Sequence, residues 1–175
     1  DTRASDEFAA GHVPGAINIG LDGKFAPWVG NVVDPKEPLI IVTELGREEE
    51  TVTRLARIGY EGVIGWLSGG MDAWHTSSGE VATLPQIDAL ALSDKLAGSI
   101  HLTILDVRTE EEWNVGHLDG SLHIPLVDLP KKIADLPHDE MVVLCGSGYR
   151  SSIACSILQR AGRDRRPSGR SAGLR

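Results

Sequence analysis

The chain repeats itself, and the repeat limits what it can fold into. Laying Asp106 onward over the N-terminus at a constant offset of 105 residues pairs Asp1 with Asp106, Arg3 with Arg108, Glu7 with Glu112 and Phe8 with Trp113. The same register matches Gly11 with Gly116, His12 with His117, Gly15 with Gly120, Ile17 with Leu122 and Ile19 with Ile124. Later landmarks follow with a small drift: Leu39-Ile40-Ile41-Val42 falls over Met141 to Leu144, and Arg54 to Gly59 over Ile157 to Gly162. Short insertions and deletions in loops account for such drift. A period of about 100 residues argues for two copies of one domain over a single large one.

Each copy alternates short strands with helices, which predicts an α/β domain with a mainly parallel sheet. In the second copy Ser93 is a candidate cap for a short helix through Leu96, and Leu102 to Leu105 reads as a strand ending at Asp106. Thr109-Glu110-Glu111-Glu112 has capping-box form, so a helix through Trp113 is expected. Ser121 to Ile124 is the next short strand, Val127 to Leu136 a helix despite Pro130, and Met141 to Leu144 a buried strand. Behind it, Ile153, Ala154, Ile157, Leu158 and Ala161 recur at helical spacing. Between the copies, Thr76 to Glu80 is polar and turn-forming, a candidate linker.

The chemistry concentrates in Cys145-Gly146-Ser147-Gly148-Tyr149-Arg150, set between the buried strand and a helical pattern from Ser152 to Arg160. A strand that delivers a cysteine into a glycine-bearing loop before a helix places a thiolate at a helix N-terminus. Backbone N–H groups point at an anion there, and the thiolate is the nucleophilic form of cysteine. The competing reading is a structural core cysteine, since free cysteine is among the most buried residue types. That reading requires neither the two glycines nor the arginine.

A formal charge of −8 and 41% hydrophobic residues fit a globular protein, and no apolar run reaches membrane-spanning length. The acidic balance argues against general binding of nucleic acid or anionic membranes. The two cysteines, ten residues apart on a mostly helical segment, would lie roughly 15 Å apart. That exceeds the ~7 Å limit for a disulfide, and a reducing cytoplasm is the expected setting. No His/Cys/Asp cluster has metal-ligand spacing, so neither metal nor cofactor is expected.

Both ends depart from the repeat. Asp1 matches a residue that in the second copy follows a linker, a helix and a strand, so the chain reads as a fragment or a processed product. Residues 163–175 hold five arginines and almost nothing apolar, the composition of an aberrant or disordered basic tail. We read it as a truncated or out-of-frame end in preference to a binding element. In the first copy the corresponding place is filled by Tyr60 to Leu67, Ser68-Gly69-Gly70 and a short helix ending near Trp74.

Taken together, Asp106-Val107-Arg108, Glu112-Trp113, Gly116-His117 through Gly120-Ser121, the Cys145 to Arg150 loop and the Gly69-Gly70 to Trp74 ending resemble the rhodanese family of sulfurtransferases, in tandem. The resemblance implies two rhodanese-like domains, roughly 1–78 and 82–162, each a mainly parallel sheet flanked by helices. The first lacks its N-terminal elements and the second its C-terminal ones, including a strand that in this family pairs beside the cysteine strand. It also implies that Cys145 carries sulfane sulfur as a persulfide from thiosulfate or a persulfide donor to cyanide or a thiol. Gly146, Ser147, Gly148 and Tyr149 would contact the substrate, and Arg150 would close the loop and add positive field. Four residues separate Cys145 from Arg150, as in sulfur-transferring members; the related cysteine phosphatases carry five.

The first copy has Thr43 where the cysteine belongs, and a threonine hydroxyl without an adjacent base is a poor nucleophile. Glu44 and Glu48 to Glu50 add negative charge, so this copy is expected to be silent. Asp106 and Arg108 recur as Asp1 and Arg3 in that copy, which assigns them a supporting role, and His117 recurs as His12. Cys155 reads as packing, and the four tryptophans as core or domain-contact residues. A rival reading makes the chain an accessory module of a larger enzyme: the Phe25 to Trp28 and Gly65 to Gly70 segments look like the rhodanese pairs joined to metallo-β-lactamase-fold hydrolases and persulfide dioxygenases. A third reading is an inactive truncated fragment.

Overall fold

The computed structural model describes residues 1–98 and 102–163, together with the backbone of 172–174. It divides into two compact units, Asp1–Thr83 and Leu84–Arg175. The first unit runs past the expected boundary at 78 because its last residues are tied back. His12 and Ala82 exchange both backbone hydrogen bonds at 2.9 Å, and the Trp74 indole donates to the Glu80 carbonyl at 2.9 Å.

The first unit comprises α1 (Ser5–Ala10), α2 (Phe25–Val32), β1 (Leu39–Ile41), α3 (Glu48–Ala56), β2 (Val63–Trp66) and α4 (Gly70–Thr76). β1 and β2 pair in parallel. Phe8, Leu21, Phe25, Val29 and Leu55 form its interior.

The second unit contains β3 (Gln86–Ile87), α5 (Ala89–Ala97), β4 (Thr103–Asp106), α6 (Glu110–Val115), β5 (Leu122–His123), α7 (Leu129–Lys132), β6 (Met141–Leu144), α8 (Tyr149–Arg160) and β7 (Ala172–Leu174). Its five strands are all parallel, in the order β3-β7-β6-β4-β5. The expected α/β class with parallel sheets flanked by helices is therefore observed. β6 is central, and its run of Met141, Val142 and Val143 is buried on both faces, as an interior parallel strand requires.

Three helix boundaries differ from expectation, each for a local reason. α5 starts earlier, because the Asp88 carboxylate, not Ser93, accepts the Ala91 N–H at 2.8 Å. The helix expected over 127–136 is a short α7 followed by a 3-10 turn at Ile133–Asp135; Pro130 sits in its first turn, where a missing N–H is tolerated. α8 begins at Tyr149, three residues before Ser152. It is also buried all round from Ser151 to Leu158. Its serines bond to their own helix, Ser151 Oγ to Gly148 O at 3.1 Å and Ser156 Oγ to Ile153 O at 2.7 Å, which satisfies their hydroxyls without solvent.

The two copies differ most where one lacks elements. Val142 is 2% exposed and packs under Leu92 of α5, whereas its repeat partner Ile40 is 69% exposed. No counterpart of β3 or α5 exists among residues 1–83. The basic stretch from 163 onward is corrected at two points. Arg163 is anchored, its N–H to Leu158 O at 3.0 Å and its guanidinium to the Leu136 and Pro137 carbonyls. Ala172–Leu174 pairs with both β3 and β6, so a strand does lie beside the cysteine strand, where the resemblance implied one was missing. A ladder needs backbone groups more than apolar side chains, which a composition argument overlooks. No counterpart of α4 follows β7 among the described residues, and 164–171 and Arg175 lie outside them.

Candidate active site

β6 and α8 together build a cradle around one sulfur. The chain leaves the sheet at Leu144, and Cys145 is 6% exposed at the base of the loop. Gly148 then turns the backbone with φ +87°, a conformation natural to glycine, and caps α8. That turn aims the Gly148 N–H at Cys145 Sγ at 3.1 Å and the Ser151 N–H at the same atom at 3.3 Å. The Ser151 hydroxyl lies 3.4 Å from the sulfur. N–H dipoles and a helix N-terminus thus converge on one atom, the arrangement that stabilises negative charge there. Gly146 and Ser147 are open to solvent and form the exposed side of the loop, while Tyr149 opens α8 and is half-buried.

Arg150 does not stand free. Its guanidinium grips the Glu112 carboxylate with two bonds, Nη1 to Oε2 at 2.5 Å and Nη2 to Oε1 at 2.7 Å. The hydrogen bonds from Arg150 pull the Glu112 carboxyl down to about 2, and the same bonds hold the guanidinium above its ordinary range, with smaller contributions from Cys145 and Asp106. A methyl group on Gly146 would meet Arg150 Nη2 at 3.5 Å and Glu112 Oε1 at 3.9 Å. The pair therefore lies over the first residue after the cysteine.

Asp106 and Arg108 form a second pair behind the first. Asp106 is buried, its Oδ2 accepting Arg108 Nη2 at 2.6 Å and Nε at 2.8 Å, while Nη2 also donates to Gly116 O at 2.8 Å. The Asp106 bonds raise the Arg108 guanidinium above its ordinary value. The first unit repeats this geometry: Arg3 Nη2 reaches Asp1 Oδ2 at 2.6 Å and Gly11 O at 2.9 Å. His117 Nδ1 meets Trp113 O at 3.1 Å and its ring stacks on Trp113, just as His12 Nδ1 meets Phe8 O at 2.8 Å and stacks on Phe8. Both motifs brace the turns after α1 and α6.

The loop of the first unit is built differently. Thr43 is buried with its hydroxyl 3.4 Å from that of Thr51. Arg47 is itself the residue capping α3, one position later than the cap that follows Cys145. Its guanidinium is committed to Asp22 at 2.7 Å and Glu50 at 3.0 Å.

Cys145 through Arg150 form one loop, and the charges of Asp106 and Arg108 lie close enough to Arg150 to act on it. Two residues were not singled out for the site. Glu112 enters the sequence reading as a helix cap and as part of the Glu112-Trp113 motif, not as a partner of Arg150; its repeat partner Glu7 makes the same cap without an arginine of the loop. Ser151 fell outside because the helix was expected to begin at Ser152. Among the described residues no group of three or more His, Cys, Asp or Glu side chains is placed to hold a metal ion, and neither cysteine is in a disulfide. No helix among them is long and apolar enough to cross a membrane.

An α/β unit that presents one cysteine in a loop at a helix N-terminus defines a class of thiol-dependent domains. The rhodanese-like domain family matches residues 1–77 and 88–167, and the chain belongs to that family, in two copies. Over 87 residues it is 36% identical to a putative sulfur carrier protein, YrkF, of Bacillus subtilis, a match covering 49% of this chain and 47% of that protein. It is 35% identical over 80 residues to the putative sulfurtransferase YtwF of the same organism, covering 45% of this chain and 78% of that protein. A sulfurtransferase of Allochromatium vinosum is 33% identical over 78 residues, covering 44% of this chain and 73% of that one. The chain thus spans about half the length of the first of these relatives.

Proposed function

We propose that the second unit is a sulfurtransferase working through a persulfide on Cys145. The thiolate attacks the outer sulfur of thiosulfate, or of a low-molecular-weight persulfide; a new S–S bond forms, the donor's S–S bond breaks, and sulfite or a thiolate leaves with the electron pair. Cyanide or a thiol then attacks the terminal sulfur and Cys145 departs as thiolate. Each half is a nucleophilic displacement, and covalent capture divides one transfer into two easier steps.

The observation that carries this reading is the pair of N–H groups, from Gly148 and Ser151, directed at Cys145 Sγ. The four residues between Cys145 and Arg150 add support, as do the two relatives named as sulfurtransferases. Ser147 and Tyr149 supply hydroxyls along the donor's path. Mass spectrometry after thiosulfate or persulfide treatment should show a gain of about 32 Da on the peptide bearing Cys145, absent in Cys145→Ser. A folded protein that gains no mass with either donor rejects sulfur transfer.

A further inference from the structure

We infer that Glu112 is a positioning residue of the Cys145 site: it holds Arg150 over the loop and cancels its charge, so that backbone amides rather than a free guanidinium receive the sulfur donor. This deepens the sulfur-transfer reading and rests on it for the identity of the donor. The argument starts from the repeat. Glu7 and Glu112 occupy the same place at the third position of α1 and α6, and both accept the backbone N–H of the capping residue, at 3.3 and 3.0 Å. Capping is therefore the fold's use of this glutamate, common to both copies. The two bonds to a loop arginine occur on Glu112; in the cysteine-free copy the loop arginine pairs with Asp22 and Glu50 instead.

A bidentate carboxylate–guanidinium pair fixes orientation as well as charge. The pair lies within van der Waals reach of Gly146, and its two bonds mean that the guanidinium cannot swing over the loop without giving up its partner. The other nearby arginine, Arg108, is likewise committed to Asp106. Among the described residues, Arg150 and Arg108 thus each meet a thiosulfate-like dianionic donor already matched by a carboxylate. The site should favour donors of low charge, and the preference should depend on Glu112.

Glu112→Gln tests this, because glutamine at the same position retains the capping box while removing the charge. Cys145 alkylation by iodoacetate and by iodoacetamide, followed by peptide mass mapping, reads the field at the sulfur without requiring sulfur transfer. The iodoacetate-to-iodoacetamide rate ratio should rise about five-fold in Glu112→Gln and fall with added salt, as expected for one uncompensated charge at a partly exposed site. The KM for thiosulfate should fall by a similar factor with kcat little changed. Glu7→Gln should leave the ratio as in the parent, and Glu112→Gln/Arg150→Gln should abolish the rise. An unchanged ratio in folded Glu112→Gln, or a rise that persists in the double variant, overturns the inference. A raised ratio in a protein that takes up no sulfur supports the role of Glu112 and counts instead against sulfur transfer.

Discussion

Two charged pairs at the Cys145 loop look alike on paper and do different work. Asp106 with Arg108 is reproduced atom for atom by Asp1 with Arg3, in a unit with no cysteine loop, so its task is to brace the backbone. Asp106 is almost fully buried, and removing one partner leaves an uncompensated charge. Asp106→Ala should cost the second unit about 3 kcal/mol, read as a lower urea midpoint. Glu112 with Arg150 is more exposed, so water screens it and its contribution to stability is small. Its sign is still defined. Glu112 is held at about 2, below its ordinary 4.5, so its contribution is present above the ordinary value and is lost as pH falls through the folded one. The stability difference between the parent protein and Glu112→Gln should therefore be constant near neutrality and shrink between about pH 5 and 2, which urea titrations at each pH can measure.

At the scale of the element, the cradle depends on where α8 begins. Gly148 holds φ +87° at the cap, and that turn is what directs two N–H groups onto the sulfur. An alanine there adopts the left-handed region at a cost of about 1–2 kcal/mol. Gly148→Ala should lower both the thermal midpoint and the alkylation rate of Cys145 by iodoacetamide, whereas substitution at exposed Ser147 should leave the midpoint unchanged. In the first unit the cap falls one residue later, on Arg47. A cysteine placed at Thr43 would therefore meet a differently phased helix end.

Across the whole molecule, two units belong to one family, and both cysteines lie in the second of them. Sulfur uptake should saturate at one atom per chain. Thr43→Cys should leave that stoichiometry at one, because the Arg47 cap and Glu44 replace the amide cradle; intact-mass measurement after donor treatment decides it. The same comparison sets Ile40, exposed among residues 1–83, against Val142, which packs under Leu92 of α5. Conversely, the arginine-rich stretch that composition marks as unstructured contributes Ala172–Leu174 to the sheet.

The repeat, the α/β alternation and the cysteine loop were all legible in the chain, because each is a local pattern: an apolar run, a glycine, a cap at fixed spacing. β6 was expected at Met141 to Leu144 and lies there, and Thr109 caps α6 as its spacing implied. Helix starts were less legible: Ser93 was expected to cap the helix through Leu96, and Asp88 caps it instead. What tertiary structure alone decided was pairing over distance. Arg150 meets Glu112 across 38 residues, and Ser151 reaches Cys145 only once Gly148 has turned the chain. Sequence specified which groups are present and on which element; the fold decided that the arginine expected to add positive field is paired with a carboxylate.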